Sequence, residues 1–249
     1  MTTATQPSTA PLTTQALGRF ASEGFLICPD FLPRDEMPRY RDAALAYAAS
    51  RKTASPGQAF RQLCQVWRDD AVLRELTFHP SIRAAVRALA GRPMRLYHDQ
   101  ILIKDPHNGQ ASEFHQDRPY WPLSAGMTVS IWIALGDCPR ESGCMSFIPG
   151  SHRHTDVPLQ VLTWAHDLFD KCPQLEWEPQ VVAPLRAGGC TFHQGRTAHR
   201  AGANETEVPR VAFSAIYVED GITLASGQDW PYPGIRPGDA LADPGAPSI

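Results

Sequence analysis

The segment EFHQDRPYW, residues 113–121, places a histidine and an aspartate two positions apart in a stretch that is predicted to be a strand. Side chains at positions i and i+2 of a strand point to the same face of a sheet. If that face lines the inside of a barrel, burying both polar groups is unfavourable unless a partner binds them. A metal ion is such a partner, so His115 and Asp117 are candidate ligands.

The composition favours a single domain that binds neither nucleic acid nor a membrane. The chain has 249 residues, 43% of them hydrophobic, which suits one domain of the larger all-β or α/β type. A net charge of -3 argues against nucleic-acid binding as the main task. No apolar run approaches the roughly 18 residues of a membrane helix. The start, MTTATQPSTAPLTT, lacks the features of a signal peptide, so a cytoplasmic location is expected.

The pattern of the chain changes after residue 92. Residues 1–12 are polar and are expected to form a disordered tail. Residues 13–92 show helical periodicity with capping residues, and we expect mostly helical support for the core. Within residues 93–220, short strand-like runs alternate with Pro and Gly turns, at 94–104, 128–136, 144–150, 190–194 and 210–218. Strands without intervening helices predict a mainly β fold of the sandwich or jelly-roll kind, with flanking helices.

One segment interrupts the strand pattern. Residues 152–180 contain Trp164 and show weak helical periodicity, so we expect an insertion that forms a lid over one end of the barrel. Residues 231–249, PYPGIRPGDALADPGAPSI, are rich in Pro and Gly and are expected to be an irregular tail. A single domain is therefore predicted over residues 13–230.

Two further histidines are candidates for a third ligand. His193 and His199 both lie in GGCTFHQGRTAHRAGANETEVPRVAFSAIYV, residues 188–218, and both remain open at this point. Arg210 follows His199 by eleven residues at the head of a strand, on a face of small residues that suits a barrel mouth. A buried guanidinium favours a bidentate anion such as a carboxylate. Two histidines and one carboxylate with open positions are typical of non-haem Fe(II) oxygenases.

The segments FHQDRPYWP, SIWIALGDCPRESGCMSFIPGSHR and FHQGRTAHRAGANETEVPR, in this order, resemble the phytanoyl-CoA dioxygenase (PhyH) family of Fe(II)/2-oxoglutarate enzymes. The resemblance extends over residues 15 to 220, approximately. It implies a double-stranded β-helix (jelly roll, cupin-like) in which His115, Asp117 and His199 bind Fe(II), whereas His193 is structural. It also implies 2-oxoglutarate and O2 as co-substrates, with succinate and CO2 as products.

The resemblance implies further roles around the co-substrate. Arg210 would bind the distal carboxylate of 2-oxoglutarate, and Trp132 would line the co-substrate. Gln100 and Lys104 match the strand that precedes the ligand strand, where side chains contact the co-substrate. The chain departs from the family at Ala201, where a serine is frequent. One hydrogen bond to 2-oxoglutarate, of about 1.5–3 kcal/mol for a charged group, would then be missing.

The remaining residues give less information about the substrate. Tyr120 and Trp121 follow the ligand strand directly and, with Trp164, are candidates for substrate contacts. His98 and His107 are interpreted as structural or solvent-exposed. The chain lacks a long Lys/Arg cluster for the phosphates of coenzyme A, which favours a small-molecule substrate of bacterial secondary metabolism.

Several functions fit these patterns. By resemblance, the enzyme would hydroxylate an unactivated C–H bond and would need no catalytic side chain beyond the iron centre. Ring closure, desaturation or epimerisation would use the same cofactors. A non-redox cupin-like metalloenzyme would keep the three ligands without needing Arg210, and a ligand-binding jelly roll would not need an intact set of ligands. The sequence indicates no oligomeric state.

Overall fold

The computed structural model describes residues 12–51, 59–225, 236–241 and 248–249. Most of the predicted tail at 1–12, and most of the residues from 231 onward, lie outside the described residues. The C-terminal residue Ile249 is buried and exchanges two backbone hydrogen bonds with Met94, of 2.7 and 3.0 Å. The end of the chain is therefore packed against the start of a core strand.

Helices form where the capping pattern predicts them. Thr13 accepts a hydrogen bond from the backbone N–H of Ala16, and Gly24 ends the first helix with a φ of 85°, which glycine adopts without steric strain. Asp70 caps the third helix by accepting from the N–H of Leu73 at 2.9 Å. The described helices are α1 (Thr14–Glu23), α2 (Met37–Ala49), α3 (Ala71–Thr77), α4 (Pro80–Ala90) and α5 (Asp167–Lys171). No helix in these ranges is long and apolar enough to cross a membrane.

Ten strands in the described part of the chain form two antiparallel sheets, and they confirm the predicted jelly roll. Their bounds are β1 (Phe25–Cys28), β2 (Arg61–Cys64), β3 (Met94–Lys104), β4 (Ser112–His115), β5 (Thr128–Ala134), β6 (Met145–Phe147), β7 (Val181–Ala183), β8 (Cys190–Gln194), β9 (His199–Ala201) and β10 (Arg210–Glu219). The larger sheet has the order β1-β8-β5-β10-β3-β2, and the smaller sheet has the order β4-β9-β6-β7.

Strand β10 separates the helical layer from the interior of the barrel. Because successive side chains of a strand point to opposite faces, two sets of residues alternate along it. One set packs in the large core that contains helical residues such as Phe20, Leu73 and Ile82, and consists of Val211, Phe213, Ala215 and Tyr217. The other set comprises Arg210, Ala212, Ser214 and Ile216. Three of the latter four line the cavity described below.

Two segments differ from the sequence-based expectations. Residues 61–64 form strand β2, which pairs with β3 and which the polarity of RQLC does not reveal. The polar sequence of residues 53–60 predicts a loop before this strand, and of these residues only 59 and 60 are described. The predicted insertion at 152–180 contains little regular structure. It is tied to β4 by a hydrogen bond of 2.8 Å from the N–H of Glu113 to the carbonyl of Leu162.

Candidate metal centre and adjoining cavity

Two strands of the smaller sheet bring the two histidines together. His115 is the last residue of β4 and His199 is the first residue of β9, and the antiparallel register pairs them directly. Directly opposed residues have side chains on the same face of a sheet. The two imidazole rings accordingly lie 4.3 Å apart between centroids. The pairing brings together residues that are far apart in the sequence.

Asp117 reaches the histidines by a different route from the predicted one. Strand β4 ends at His115, and Asp117 has helical backbone angles (φ -67°, ψ -36°) at the start of the turn Arg118–Tyr120. The prediction that both residues lie on one strand is therefore wrong. The turn nevertheless directs the carboxylate towards both rings, with Oδ1 at 3.6 Å from Nε2 of His115 and 3.7 Å from Nε2 of His199.

Backbone carbonyls fix the orientation of both imidazoles. Nδ1 of His115 lies 2.7 Å from the carbonyl oxygen of Glu113, and Nδ1 of His199 lies 2.9 Å from that of Thr197. A carbonyl only accepts, so each Nδ1 carries a proton and Nε2 is the nitrogen that faces the centre. Such outer hydrogen bonds are typical of metal-ligating histidines.

The three donors fit a divalent metal ion. The ligating atoms of His115, Asp117 and His199 all lie within 4.8 Å of one another. Burial alone would raise the pKa of Asp117, but the neighbouring histidines lower it well below its ordinary value. Burial lowers the pKa of His199 to about 3. A charged carboxylate and neutral imidazoles are the forms in which these groups bind metals.

His193 contacts the carboxylate rather than completing the set of donors. Its Nε2 lies 3.2 Å from Oδ2 of Asp117, the oxygen that does not face the other two histidines. A carboxylate only accepts, so Nε2 of His193 donates this hydrogen bond. The geometry supports the structural interpretation of His193, with His199 as the third candidate ligand.

Arg210 is a buried cation at the far end of the interior. Arg210 is 5% exposed. Its guanidinium lies 5.3 Å from the ring centroid of Trp132, and Nη1 donates a hydrogen bond of 3.3 Å to the carbonyl of Leu102. Nε is buried without a hydrogen-bond partner, and burial lowers the pKa of the guanidinium. Among the described residues no carboxylate forms an ion pair with Arg210. An unpaired buried guanidinium is suited to an anionic ligand.

A cavity of about 350 Å³ joins Arg210 to the three donors. Gln100, Trp132, Tyr120 and Trp121 line it, as the sequence predicts for co-substrate and substrate contacts. Its wall also includes residues that the sequence did not indicate, namely Phe60, Gln62, Cys64, Tyr97 and His98. Gln62 and Cys64 come from β2, and Phe60 directly precedes this strand, which the sequence did not predict. His98 was interpreted as structural because its strand alone does not show which face is the interior.

Two predicted contacts are corrected. Lys104 pairs directly with Arg210 in the register of β3 and β10 but does not line the cavity, because its ammonium donates to the carbonyls of Gln110, Ala201 and Gly202 at 2.9, 3.2 and 2.6 Å. Its donors are thus occupied by backbone. Trp164 is 55% exposed and lies outside the cavity wall.

A set of two histidines and one carboxylate is the ligand arrangement of non-haem Fe(II) oxygenases. The family model "Phytanoyl-CoA dioxygenase (PhyH)" matches residues 20–212. The chain therefore belongs to the phytanoyl-CoA dioxygenase family, which confirms the resemblance seen in the sequence.

Curated relatives agree with this assignment. Phytanoyl-CoA dioxygenase domain-containing protein 1 of Mus musculus is 29% identical over 171 residues, covering 66% of this chain and 58% of the relative. The peroxisomal phytanoyl-CoA dioxygenase of Mus musculus is 26% identical over 207 residues, covering 79% and 59%. The chain thus spans less than two thirds of the length of these relatives.

Solved structures match the whole fold. The non-heme alpha ketoglutarate dependent carbocyclase SnoK from nogalamycin biosynthesis is 32% identical with a TM-score of 0.87, and the match covers 98% of this chain and 100% of SnoK. The epimerase SnoN, solved in complex with Fe3+, alpha ketoglutarate and nogalamycin RO, is 32% identical with a TM-score of 0.84, covering 94% and 97%.

Proposed function

We propose that this protein is an Fe(II)- and 2-oxoglutarate-dependent oxygenase that hydroxylates an unactivated C–H bond of a small natural product. One observation carries the proposal: a single cavity contains three metal donors and, at its other end, an unpaired buried arginine. A non-redox cupin-like enzyme would need the donors alone. A ligand-binding jelly roll would need neither feature, so the arginine favours the oxygenase.

The donors determine what the metal site can do. His115, Asp117 and His199 would hold Fe(II) from one side, and three donors leave positions free for further ligands. Bound ferrous iron would supply the oxidation, coupled to the conversion of 2-oxoglutarate and O2 to succinate and CO2. The Nδ1–H groups of His115 and His199 donate to backbone carbonyls, and these hydrogen bonds orient both rings.

The other end of the cavity supplies binding and orientation. Arg210 offers Nε and the edge of its guanidinium to the distal carboxylate of 2-oxoglutarate, in the bidentate geometry that arginine favours. Trp132 packs over the guanidinium and fixes its position. Because Arg210 is buried, its attraction for a carboxylate is stronger than it would be at a surface. No side chain has to transfer a proton in this arrangement.

Similarity to SnoK and SnoN supports a role in tailoring a secondary metabolite. The same similarity favours a second candidate outcome, namely ring closure or epimerisation. These reactions use the same cofactors and differ in how the substrate is held. Product mass separates the outcomes, because hydroxylation adds one oxygen atom, ring closure removes two hydrogen atoms, and epimerisation leaves the mass unchanged.

The proposed function is tested with the purified protein. Anaerobic addition of Fe(II) and 2-oxoglutarate should give a weak visible absorption from metal-to-ligand charge transfer, and admission of air should release succinate. The His199→Ala variant should lose both signals, whereas His166→Ala, at an exposed histidine, should keep them. If His199→Ala retains both signals, the ligand assignment is wrong.

A further inference from the structure

His98 is a buried polar group in the cavity that the proposed chemistry does not use. It lies on β3, it is 9% exposed, and its imidazole lines the cavity. Its Nδ1 is buried without a hydrogen-bond partner, which leaves Nε2 as the nitrogen available to a bound molecule. Burial lowers the pKa of His98 to about 4, so the ring is neutral near pH 7 and offers one donor and one acceptor.

The strand register places His98 at the level of the metal centre. In the larger sheet, His193 pairs with Ser130, Ser130 pairs with Ile216, and Ile216 pairs with His98, so these residues form one row across four strands. His193 is also the residue that bonds to Asp117. His98 therefore faces the space next to the three donors.

The same register separates His98 from the co-substrate end. Arg210 and Ile216 are six residues apart on β10, which corresponds to about 20 Å along a strand. This spacing is between backbone positions, and the long side chain of Arg210 extends from its end of the cavity towards the metal centre. His98 therefore belongs to the end of the cavity opposite to Arg210 and is not among the proposed co-substrate contacts, so it is available to a different molecule.

The charges of the cavity restrict what that molecule can be. Within the described part of the lining, Asp117 and Arg210 are the only Asp, Glu, Lys or Arg side chains, and both already have proposed roles. A charged substrate would therefore lack an opposite charge in this part of the wall. Burying an unpaired charge is strongly unfavourable, so these residues favour an uncharged substrate.

Aromatic side chains form the wall of the cavity near His98. The rings of Tyr97 and Trp121 lie 5.8 Å apart between centroids at 62°, and Tyr120 lies 6.1 Å from the ring of His115. The hydroxyl of Tyr120 donates to the carbonyl of Gln160, so its ring rather than its polar tip is available. Flat aromatic molecules pack well against such rings, in stacked or edge-to-face arrangements.

We infer that the cavity binds an uncharged, planar aromatic substrate, and that a hydroxyl or carbonyl oxygen of this substrate hydrogen-bonds to His98. The inference deepens the proposed function and depends on it, because the bound molecule is the one that is oxidised. The hydrogen bond fixes which carbon atom lies next to the metal. His98 is thus a specificity-determining residue.

Three probes of equal ring size test the inference. The protein is loaded with Zn(II), which has no redox chemistry, and with 2-oxoglutarate, and binding is measured by equilibrium dialysis. We expect 2-naphthol to bind about 2- to 10-fold more tightly than naphthalene, as one hydrogen bond allows. We expect 2-naphthoate, which carries a charge, to bind more weakly than 2-naphthol.

Variants assign the preference to His98. His98→Leu should bind 2-naphthol and naphthalene equally, whereas His98→Gln, which keeps a polar side chain, should retain part of the preference. His166→Leu makes the same change at an exposed histidine and should keep the full preference. If His98→Leu does not fold, the probe series on the wild-type protein and on His98→Gln decides.

Three outcomes overturn the inference: no binding of 2-naphthol up to its solubility limit, a preference that survives in His98→Leu, or tightest binding of 2-naphthoate. The assay involves no turnover, so its failure is distinct from failure of the proposed function. Loss of the Fe(II)–2-oxoglutarate absorption in the wild-type protein would reject the proposed function, whatever the naphthol affinities are.

Discussion

Replacing Arg210 with methionine tests the co-substrate site most directly. The guanidinium is buried, it has an unpartnered Nε, and no described carboxylate neutralises it. A bidentate contact with the distal carboxylate of 2-oxoglutarate would supply two charge-assisted hydrogen bonds of about 1.5–3 kcal/mol each. Arg210→Met should therefore weaken 2-oxoglutarate binding by about 10²- to 10⁴-fold.

The same substitution should not destabilise the protein without ligand. It removes one hydrogen bond to Leu102 at 3.3 Å and the contact with Trp132, together worth about 1–3 kcal/mol. The substitution also removes an unpaired buried charge, whose desolvation penalty is on the order of several kcal/mol. The second contribution is the larger one, so Arg210→Met should be at least as stable as the wild type.

Thermal unfolding in the presence of Zn(II) measures both effects. At a 2-oxoglutarate concentration of about 100 times the wild-type Kd, ligand binding stabilises the folded state by about 2.7 kcal/mol. For a chain of this size, that corresponds to a rise in Tm of about 5–10 °C. Arg210→Met should show a rise below about 2 °C at the same concentration.

Two controls accompany this experiment. Arg210→Lys keeps the charge but not the planar fork, and should respond weakly. Arg200→Met makes the same change at a half-exposed arginine outside the cavity wall and should respond like the wild type. A full 2-oxoglutarate response in Arg210→Met would refute the assignment of the arginine.

Two further predictions concern buried polar groups. His193→Phe removes the donor to Asp117 and should weaken Co(II) binding, measured by calorimetry, by about 10- to 100-fold. Burial raises the pKa of Asp99 to about 7 from 3.8, so between these pH values the native state holds a proton that the unfolded state has lost. The free energy of unfolding should therefore fall by about 1.4 kcal/mol per pH unit as the pH rises through this window, and Asp99→Asn should abolish this decrease in urea unfolding.

The predictions for His193 and Asp99 each have a matched control variant and a result that would contradict them. His193→Gln keeps an N–H donor and should lose less Co(II) affinity; equal affinities in His193→Phe and the wild type would show that the contact does not position Asp117. Asp170→Asn changes an exposed aspartate and should keep the pH dependence of the wild type. A slope that is unchanged in Asp99→Asn would mean that Asp99 is ionised throughout the window.

The sequence was sufficient for the strand pattern and the candidate chemistry. Alternation along residues 210–218 separates the interior face from the helical face because the period of a strand is two residues. The types of His115, Asp117 and His199, and the interval from His199 to Arg210, indicate the donor set through the family resemblance. These features are local or depend on order along the chain.

The directions of side chains at turns and at strand ends could be seen only in the tertiary structure. Asp117 reaches the centre from a helical turn, which the i, i+2 argument did not anticipate. Lys104 pairs directly with Arg210, but backbone carbonyls occupy its donors. Trp164 lies in the insertion but faces solvent, because exposure depends on how the segment packs.

The sequence by itself determined which residue types are available for a metal and an anion, whereas only the pairing of strands decided which of them meet. The register of β4 and β9 makes His115 and His199 neighbours. The pairing of β3, β10, β5 and β8 places His98 in the same row as His193, next to the metal donors. Burial of one face fixes that register between strands that are distant in the sequence, so neither strand alone shows which residues become partners.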